Sequence, residues 1–547
     1  GNKLEAAKFV NELNVPVLNM RTGGPEEILQ QLTEADLPVM IKAASGGGGK
    51  GMRLVHKFHD LKETLKTTSR EAKSYFGDGT VYVEKYVEQP KHIEVQVLCD
   101  QAGNCIHLFE RECSIQRRHQ KIIEEAPSPT LSNEQRDKIT QDAMRIARAI
   151  GYVGAGTIEF LFDEAGKHYF LEMNTRIQVE HPVTEMITET DIIEDQIRIA
   201  EGHPLRYHQK ELTIQGHAIE ARLYAENPNN NFLPSPGHLH HIEIPFFKHL
   251  RVDTGIESNT AISSNFDPMI AKIVAWGENR KMATDLLNKG FNQSYVLGIQ
   301  HNLAYLNQIL QHPAFINNQF STQYIDRHHS ELLDSLNSKR HQVDKNWLLA
   351  AYIQIHSTGR NGDHETDTWS SVGYWRTLMD WKIFIDEKPH EVTFRRQPGK
   401  ITISEAETQK IFNVFPGRSN NFILEHNGKQ EAIMYALTGR STEIAINGIN
   451  FKVNKETFEE TIANKEKNNS DSTHSNKHIK SPMFGKVLAI NVDKNSPVKK
   501  GETLLVLEAM KMENNIIAPF DTHVEQIHVE EGDQVEDGQI LIQTSFN

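Results

Sequence analysis

The 547-residue chain has little cysteine, no excess of basic charge and no long apolar run, and each shortage removes a class of function. Its three cysteines, Cys99, Cys105 and Cys113, lie close together without Cys-x-x-Cys spacing, which argues against a structural zinc site and points to a reducing compartment. Basic side chains number 59 against 73 acidic ones, a net charge of −14, so no positive field draws the protein to nucleic acid or an anionic membrane. No run of about 18 or more apolar residues could span a bilayer. The opening GNKLEAAKFV has neither an initiator methionine nor a signal-peptide pattern. The expected location is the cytoplasm, or the mitochondrial matrix in a eukaryote, and the chain is expected to start inside a longer gene product.

Length allows roughly three or four domains at about 150 residues each. Up to about residue 335, helical patterns alternate with short apolar runs bounded by glycine, a mixed α/β reading. One helix is marked at both ends in LSNEQRDKITQDAMRIARAIG. Ser132 and Gln135 fit a capping box, Ile139, Ala143, Ile146, Ala147 and Ile150 form one face, and Gly151 suits the stop. From 336 to 463 the text turns to short strand-like runs (KIFID, HEVTF, KITIS, NFILEH, EIAING) with turn residues between them, a β-rich domain. Residues 464–478, NKEKNNSDSTHSNKH, carry almost no apolar side chain and read as a flexible linker.

The last unit, 479–547, repeats itself. Val487, Ile490, Val492, Val498, Gly501 and Leu504 recur as Val524, Ile527, Val529, Val535, Gly538 and Leu541, each 37 positions later, as Pro482 recurs in Pro519. Two equivalent half-sheets would bury their apolar faces on one another as a small sandwich with quasi-twofold symmetry. Between the halves, the polar break AMKMEN separates TLLVLE from NIIAP and reads as a hairpin tip that exposes Lys511. Two methionines at such a tip have no core to fill. The stretch Ala509, Met510, Lys511, Met512 resembles the motif of biotinyl carrier domains, and the resemblance covers about Ile479–Gln543. It implies that Lys511 carries biotin through an amide bond.

A carrier needs a loading site. PVMIKAASGGGGKGMRLV places four glycines between apolar runs. Gly46, Gly48 and Gly51 satisfy GxGxxG formally, but no helix pattern opens directly after them, so the dinucleotide fingerprint fails. A strand, glycine loop and strand can instead close over a triphosphate, with Lys42 and Lys50 adding countercharge. GTIEFLFDEAGKHYFLEMN reads as a hairpin, and counting outward from a turn closed by residues 163 and 168 pairs Glu159 with Glu172. Opposed carboxylates on one sheet face repel unless a cation lies between them, and hard oxygen donors, with Asn174 on the Glu172 face, suit Mg²⁺. The following segment holds Arg176, Gln178, Glu180 and His181, groups able to bind an anion and remove a proton.

With EKYVEQPKHIEVQV and CSIQRRHQKIIEEAP, these stretches resemble the biotin carboxylase module of the ATP-grasp superfamily. The resemblance makes 1–205 an ATP-grasp domain and 206–335 the carboxylase C-terminal domain. It implies that Lys3, Lys42, Gly48, Gly49, Glu84, Lys85, Tyr86, Val87, His92 and His119 contact ATP, and that Glu159, Glu172 and Asn174 hold Mg²⁺ or Mn²⁺. Lys121, Arg176, Gln178 and Val179 would bind bicarbonate, Glu180 would act as its base, and Arg251 would stabilise the biotin enolate. Family members carry a further α/β subdomain ahead of a Gly-Asp-Lys motif that stands here as Gly1, Asn2 and Lys3. The resemblance therefore implies an N-terminally truncated module with weak or no bicarbonate-dependent ATP cleavage.

Nothing in the chain resembles a carboxyltransferase. A separate carboxyltransferase β subunit is expected, docked on residues 336–463, together with a biotin protein ligase and a hetero-oligomeric state. The stretches HPAFINNQFSTQYIDRHHSELL, FDPMIAKIVAW and TWSSVGYWR resemble 3-methylcrotonyl-CoA carboxylase α subunits. Propionyl-CoA or broad acyl-CoA carboxylase α subunits, or a truncated carrier without catalysis, are the alternatives. Substituting Lys511→Arg is expected to erase the avidin signal of the biotinylated chain while its circular dichroism stays unchanged; a persisting signal would place the modification elsewhere.

Overall fold

The computed structural model describes residues 3–44, 52–118, 120–263, 265–357, 379–405, 408–417, 420–438, 441–455, 478–482, 485–509, 512–536 and 538–545. The linker expected at 464–478 lies outside these residues up to 477; His478 already begins a strand.

Two sheets frame the α/β part. A small one has the order β1-β4-β2-β3, with β1 Met20–Thr22, β2 Val39–Ala43, β3 Met52–Val55 and β4 Val81–Lys85. A large one, β11-β12-β10-β7-β6-β5-β8-β9, is built from β5 Lys91–Cys99, β6 Cys105–Arg117, β7 Gln120–Ala126, β8 Gly154–Phe162, β9 His168–Asn174, β10 His217–Tyr224, β11 Leu250–Thr254 and β12 Met269–Gly277. This sheet runs without a break across the boundary expected at 205/206, because β10 pairs directly with β7. The helix expected from the capping box is α1, Asn133–Ala149, and the Ser132–Gln135 box forms. Its apolar face is buried from Ile139 to Ala147, but Ile150 lies at the C-cap and is exposed, since the chain leaves the helix there for Gly151 at positive φ.

Cys99 and Cys105 stand opposite each other on β5 and β6 and are bonded at 1.99 Å, a pairing outside the reading of the cysteines as markers of a reducing compartment; Cys113 is free and buried.

The β-rich domain is a closed eight-stranded antiparallel barrel, Met379–Lys455. It is entered by a helix that the strand-like composition had not indicated. Helices α2, His181–Thr188, and α3, Tyr324–Gln342, belong to the α/β part, and α4, Lys345–Ser357, precedes the barrel. α4 is apolar on all sides, so it shows no amphipathic period; Trp347, Leu349 and Ile353 pack with Ile383, Phe394, Phe412 and Val453 in one core. A helix of this kind is stable only when enclosed, and the barrel encloses it.

In the C-terminal unit two four-stranded sheets bury Val487, Val498 and Leu504 of one repeat against Val524, Val535 and Leu541 of the other. The sheets are related strand for strand by the 37-residue offset. Thr503–Ala509 and Met512–Ile517 pair as a hairpin down to Ala509 opposite Met512; Met510 and Lys511 between them lie outside the described residues.

Because Ile353 is fully buried between α4 and the barrel wall, Ile353→Ala should lower unfolding stability by about 2–5 kcal/mol in chemical denaturation. A change below about 1 kcal/mol would mean that the helix is not part of that core.

Candidate functional site

The hairpin that carries the carboxylates forms with a different turn. Asp163 and Lys167 close it and Phe162 stands opposite His168, one residue short of the register counted from a 163–168 turn. A bulge between Glu159 and Phe160 restores the count, so Glu159 does face Glu172, and Thr157 faces Asn174. The Asn174 amide donates to Glu159 Oε1 at 2.9 Å, and Lys3 Nζ lies 3.3 Å from Glu172 Oε2.

These groups open onto a cavity of about 760 Å³ between the two sheets. Lys42 on β2 enters from the small sheet, ion-paired with Glu84 of β4, and both are buried. Lys85, Tyr86 and Val87 line the wall where β4 ends, and the Tyr86 N–H donates to the Pro38 carbonyl at 3.2 Å. His92 on β5 reaches Glu159 Oε2 at 3.1 Å. Gln178 is buried and donates to Glu159 Oε1 at 2.8 Å; Val179 lines the cavity, and its carbonyl accepts from Lys272 Nζ at 2.7 Å. Arg176 lies at the exposed rim against the Ile177 carbonyl. Gly48, Gly49 and Lys50 of the glycine loop, and His119, lie outside the described residues.

Lys121 is the hub. Its ammonium contacts Glu94, Glu159 at 3.2 Å and Glu180 at 2.6 Å. Burial would pull the Lys121 pKa down, but Glu180, Glu94 and Glu159 hold it well above its ordinary value. Burial likewise would raise the Glu180 carboxyl, yet Lys121, Arg222 and Arg111 keep it well below 4.5, so it is a carboxylate at neutral pH. Glu159 is also depressed, by Lys121 and His92 against its own burial.

Several participants have no counterpart in the sequence reading. Arg222 on β10 lines the cavity, binds Glu180 Oε2 at 2.8 Å and lies 2.6 Å from Glu124 Oε1. Fully buried Arg111 on β6 binds Glu94 Oε1 at 2.6 Å, Gln96 at 2.8 Å and Gln178 at 3.0 Å. Arg222 leaves a trace in the sequence as one of the polar residues at period two in HAIEARLY; Arg111, between Glu110 and Glu112 in FEREC, has no such pattern around it. Arg251 is not brought to the cavity wall. Its guanidinium is taken by Asp253 at 2.8 and 3.0 Å and by Glu185 at 2.7 Å, and Lys272 joins Asp253 at 3.3 Å to the Val179 carbonyl.

An oxygen-only set of facing carboxylates and an amide, beside Lys3 and Lys42, suits a hard divalent ion with a polyphosphate, and the anionic Glu180 next to Lys121 suits proton removal from a small bound acid.

Three family models match: "Carbamoyl-phosphate synthase L chain, ATP binding domain" over 2–208, "Biotin carboxylase C-terminal domain" over 220–327 and "Biotin-requiring enzyme" over 477–543. The mitochondrial methylcrotonoyl-CoA carboxylase α subunit of Dictyostelium discoideum is 36% identical over 99% of this chain and 79% of its own length. The propionyl-CoA carboxylase α chain of Ruegeria pomeroyi is 33% identical over 99% of this chain and 83% of its own. Among solved structures, the Campylobacter jejuni biotin carboxylase–β-γ-ATP complex superposes with a TM-score of 0.58 at 41% identity, covering 60% of this chain and 74% of that one. The biotin carboxylase domain of Hydrogenobacter thermophilus 2-oxoglutarate carboxylase, solved with MgADP, ADP and bicarbonate, gives 0.59 at 40%, covering 60% and 73%.

The depressed Glu180 pKa fixes the sign of a pH effect. Its stabilisation is complete above its unfolded value near 4.5 and is lost as pH falls towards the folded value. The acid-side loss of thermal stability should therefore be shallower in Glu180→Gln than in the wild type; identical slopes would show that Glu180 is not held as a paired carboxylate.

Proposed function

Because the chain belongs to the α subunits of biotin-dependent acyl-CoA carboxylases, a ligase family built on the ATP-grasp fold, we propose that it carboxylates biotin on its own Lys511 using ATP and bicarbonate. A carboxyltransferase β subunit then passes the carboxyl group to an acyl-CoA, 3-methylcrotonyl-CoA in our reading. The observation that carries the loading reaction is the Lys121 hub: one buried ammonium holding Glu159 and Glu180 at the wall of one cavity.

In this reading Lys3, Lys42 and His92, with the wall Glu84–Val87 and the loop residues Gly48, Gly49 and His119, bind ATP. Glu159, Glu172 and Asn174 would hold Mg²⁺, which would supply positive charge to offset that of the phosphates. Lys121, Arg176, Gln178 and Val179 orient bicarbonate, and Glu180 takes its proton so that its oxygen can attack the γ-phosphate. The attack would release ADP and leave carboxyphosphate, whose breakdown gives CO₂ and a phosphate that takes up the ureido proton; biotin, when bound, would supply the nitrogen that accepts the CO₂. Arg222, at the cavity wall, is the cation that meets the acceptor there, while Arg251 stays with Glu185 and Asp253. The domain division proposed is 1–205, 206–335, 336–463, 464–478 and 479–547, with the α4-filled barrel as the β-subunit dock.

Bicarbonate-dependent ADP release in the presence of free biotin tests the loading step. Glu180→Gln should slow it by about 10²–10⁴-fold while leaving Mg·ADP binding in calorimetry within a few fold. A wild-type chain that binds biotin ligase and accepts biotin but shows no bicarbonate-stimulated release would leave the non-catalytic carrier reading. Propionyl-CoA carboxylase α chains match almost as well, so the acceptor is tested by labelled bicarbonate incorporation with the β subunit present. Label in propionyl-CoA over 3-methylcrotonyl-CoA would replace our substrate.

A further inference from the structure

Behind the cavity wall lies a pair of carboxyl groups that the reaction as described does not use. Glu124 on β7 and Glu220 on β10 are direct cross-strand partners, and neither is exposed to any extent. Like charges opposed in this way repel, and removed from water they also lose hydration, so two ionised carboxylates at this register would be strongly destabilising. Neither oxygen of Glu220 has a hydrogen-bond partner among the described residues.

The cations around them are already committed. Arg222, two residues from Glu220 on the same strand face, lies at ion-pair distance from both Glu124 and Glu180. Lys121 is held by Glu94, Glu159 and Glu180, and Arg111 by Glu94. From β12, Lys272 is engaged by Asp253 of β11 and the Val179 carbonyl, and Arg251 by Glu185 and Asp253. Helix α2 covers the face with Val183 and Ile187, while its His181 turns to the Gln178 carbonyl. Two further titratable groups lie close by, the buried thiol of Cys113 on β6 and the buried hydroxyl of Tyr224 on β10, which is hydrogen-bonded to Arg222. Among the described residues, the two cations whose charge reaches Glu220, Lys272 and Arg222, are both already engaged by other carboxylates.

We propose that Glu220 is a positioning residue for biotin carboxylation: it remains a neutral carboxylic acid opposite Glu124 on the strand pair, and so leaves Arg222 aimed at Glu180. Ionised, Glu220 would compete with Glu180 for the one guanidinium and draw it back along its own strand, away from the bicarbonate base. The two groups show the expected bias. Burial, then the charge of Glu124, raises Glu220 well above 4.5, and burial pushes Glu124 up to about 7 despite Arg222. The positioning role rests on the reading of Glu180 as base; the neutral state of Glu220 does not.

Glu220→Gln, isosteric and permanently neutral, separates the two. A group whose folded pKa is raised stabilises fully below its unfolded value and loses that contribution as pH rises through the folded one. Between about pH 5 and about pH 8 the melting temperature of the wild type should therefore fall by roughly 2–4 °C relative to Glu220→Gln. The infrared spectrum of the unmodified chain at neutral pH should contain the C=O stretch of a protonated, buried carboxylic acid, lost in the variant. The alkaline fall of bicarbonate-dependent ATP cleavage should move to higher pH in Glu220→Gln, a readout that a merely structural side chain would not shift. No protonated-carboxyl band in the wild type overturns the neutral Glu220, whether or not the variant folds. A band that disappears in the variant with an unmoved pH–rate profile overturns the positioning role. If the wild type shows no bicarbonate-dependent cleavage, as expected of a truncated module, the positioning role falls with the loading reaction, while infrared and melting data still decide whether Glu220 is protonated.

Discussion

Lys121 cannot be charged inside this protein unless carboxylates surround it, and those carboxylates cannot be buried without Lys121. An isolated buried ion costs several kcal/mol, so strands bearing unpaired charges would not pack at these positions. The constraint is mutual and it ties together distant parts of the chain: Glu94 of β5, Lys121 of β7, Glu159 of β8 and Glu180 at the start of α2. Arg111 and Arg222 extend the balance outward to Gln178 and Glu124. The order β10-β7-β6-β5-β8-β9 is the arrangement in which every one of these charges finds a partner except Glu220.

The same network forms a polar row across one face of the large sheet. Asp253 on β11, Lys272 on β12 and Arg222 on β10 form a row from Arg251 to Glu180, and the Val179 carbonyl is held within it. The opposite face carries Ile219, Ala221 and Leu223 in the main apolar core. Strand alternation thus divides labour within HAIEARLY: Ile219, Ala221 and Leu223 hold the fold, while Glu220 and Arg222 set the electrostatics of the site.

Parts of this were legible in the residues. The 37-residue repeat in the C-terminal unit and the Ser132 capping box follow from the order of residues along the chain. Where the reading and the structure part, the physical reason is specific. The Glu159–Glu172 register depends on a bulge that compensates a tighter turn, and a bulge leaves no clear composition signal. Helix α4 lacks a polar face because a barrel surrounds it, which removes the periodicity by which helices are found. Arg251 has the same charge as Arg222; only the neighbouring strands determine which guanidinium meets the cavity.

By itself the sequence determined what is local: which segments are strands or helices with caps, where the two C-terminal halves repeat, which lysine stands between them, and which residue types could serve ATP and bicarbonate. Only the tertiary structure decided which charges share a site. Lys121 and Glu94 are 27 residues apart, Lys121 and Glu180 are 59 apart, and Glu180 and Arg222 are 42 apart. Their pairing is set by strand order and burial, and neither the low dielectric that makes it necessary nor the register that makes it possible exists until the sheet has closed.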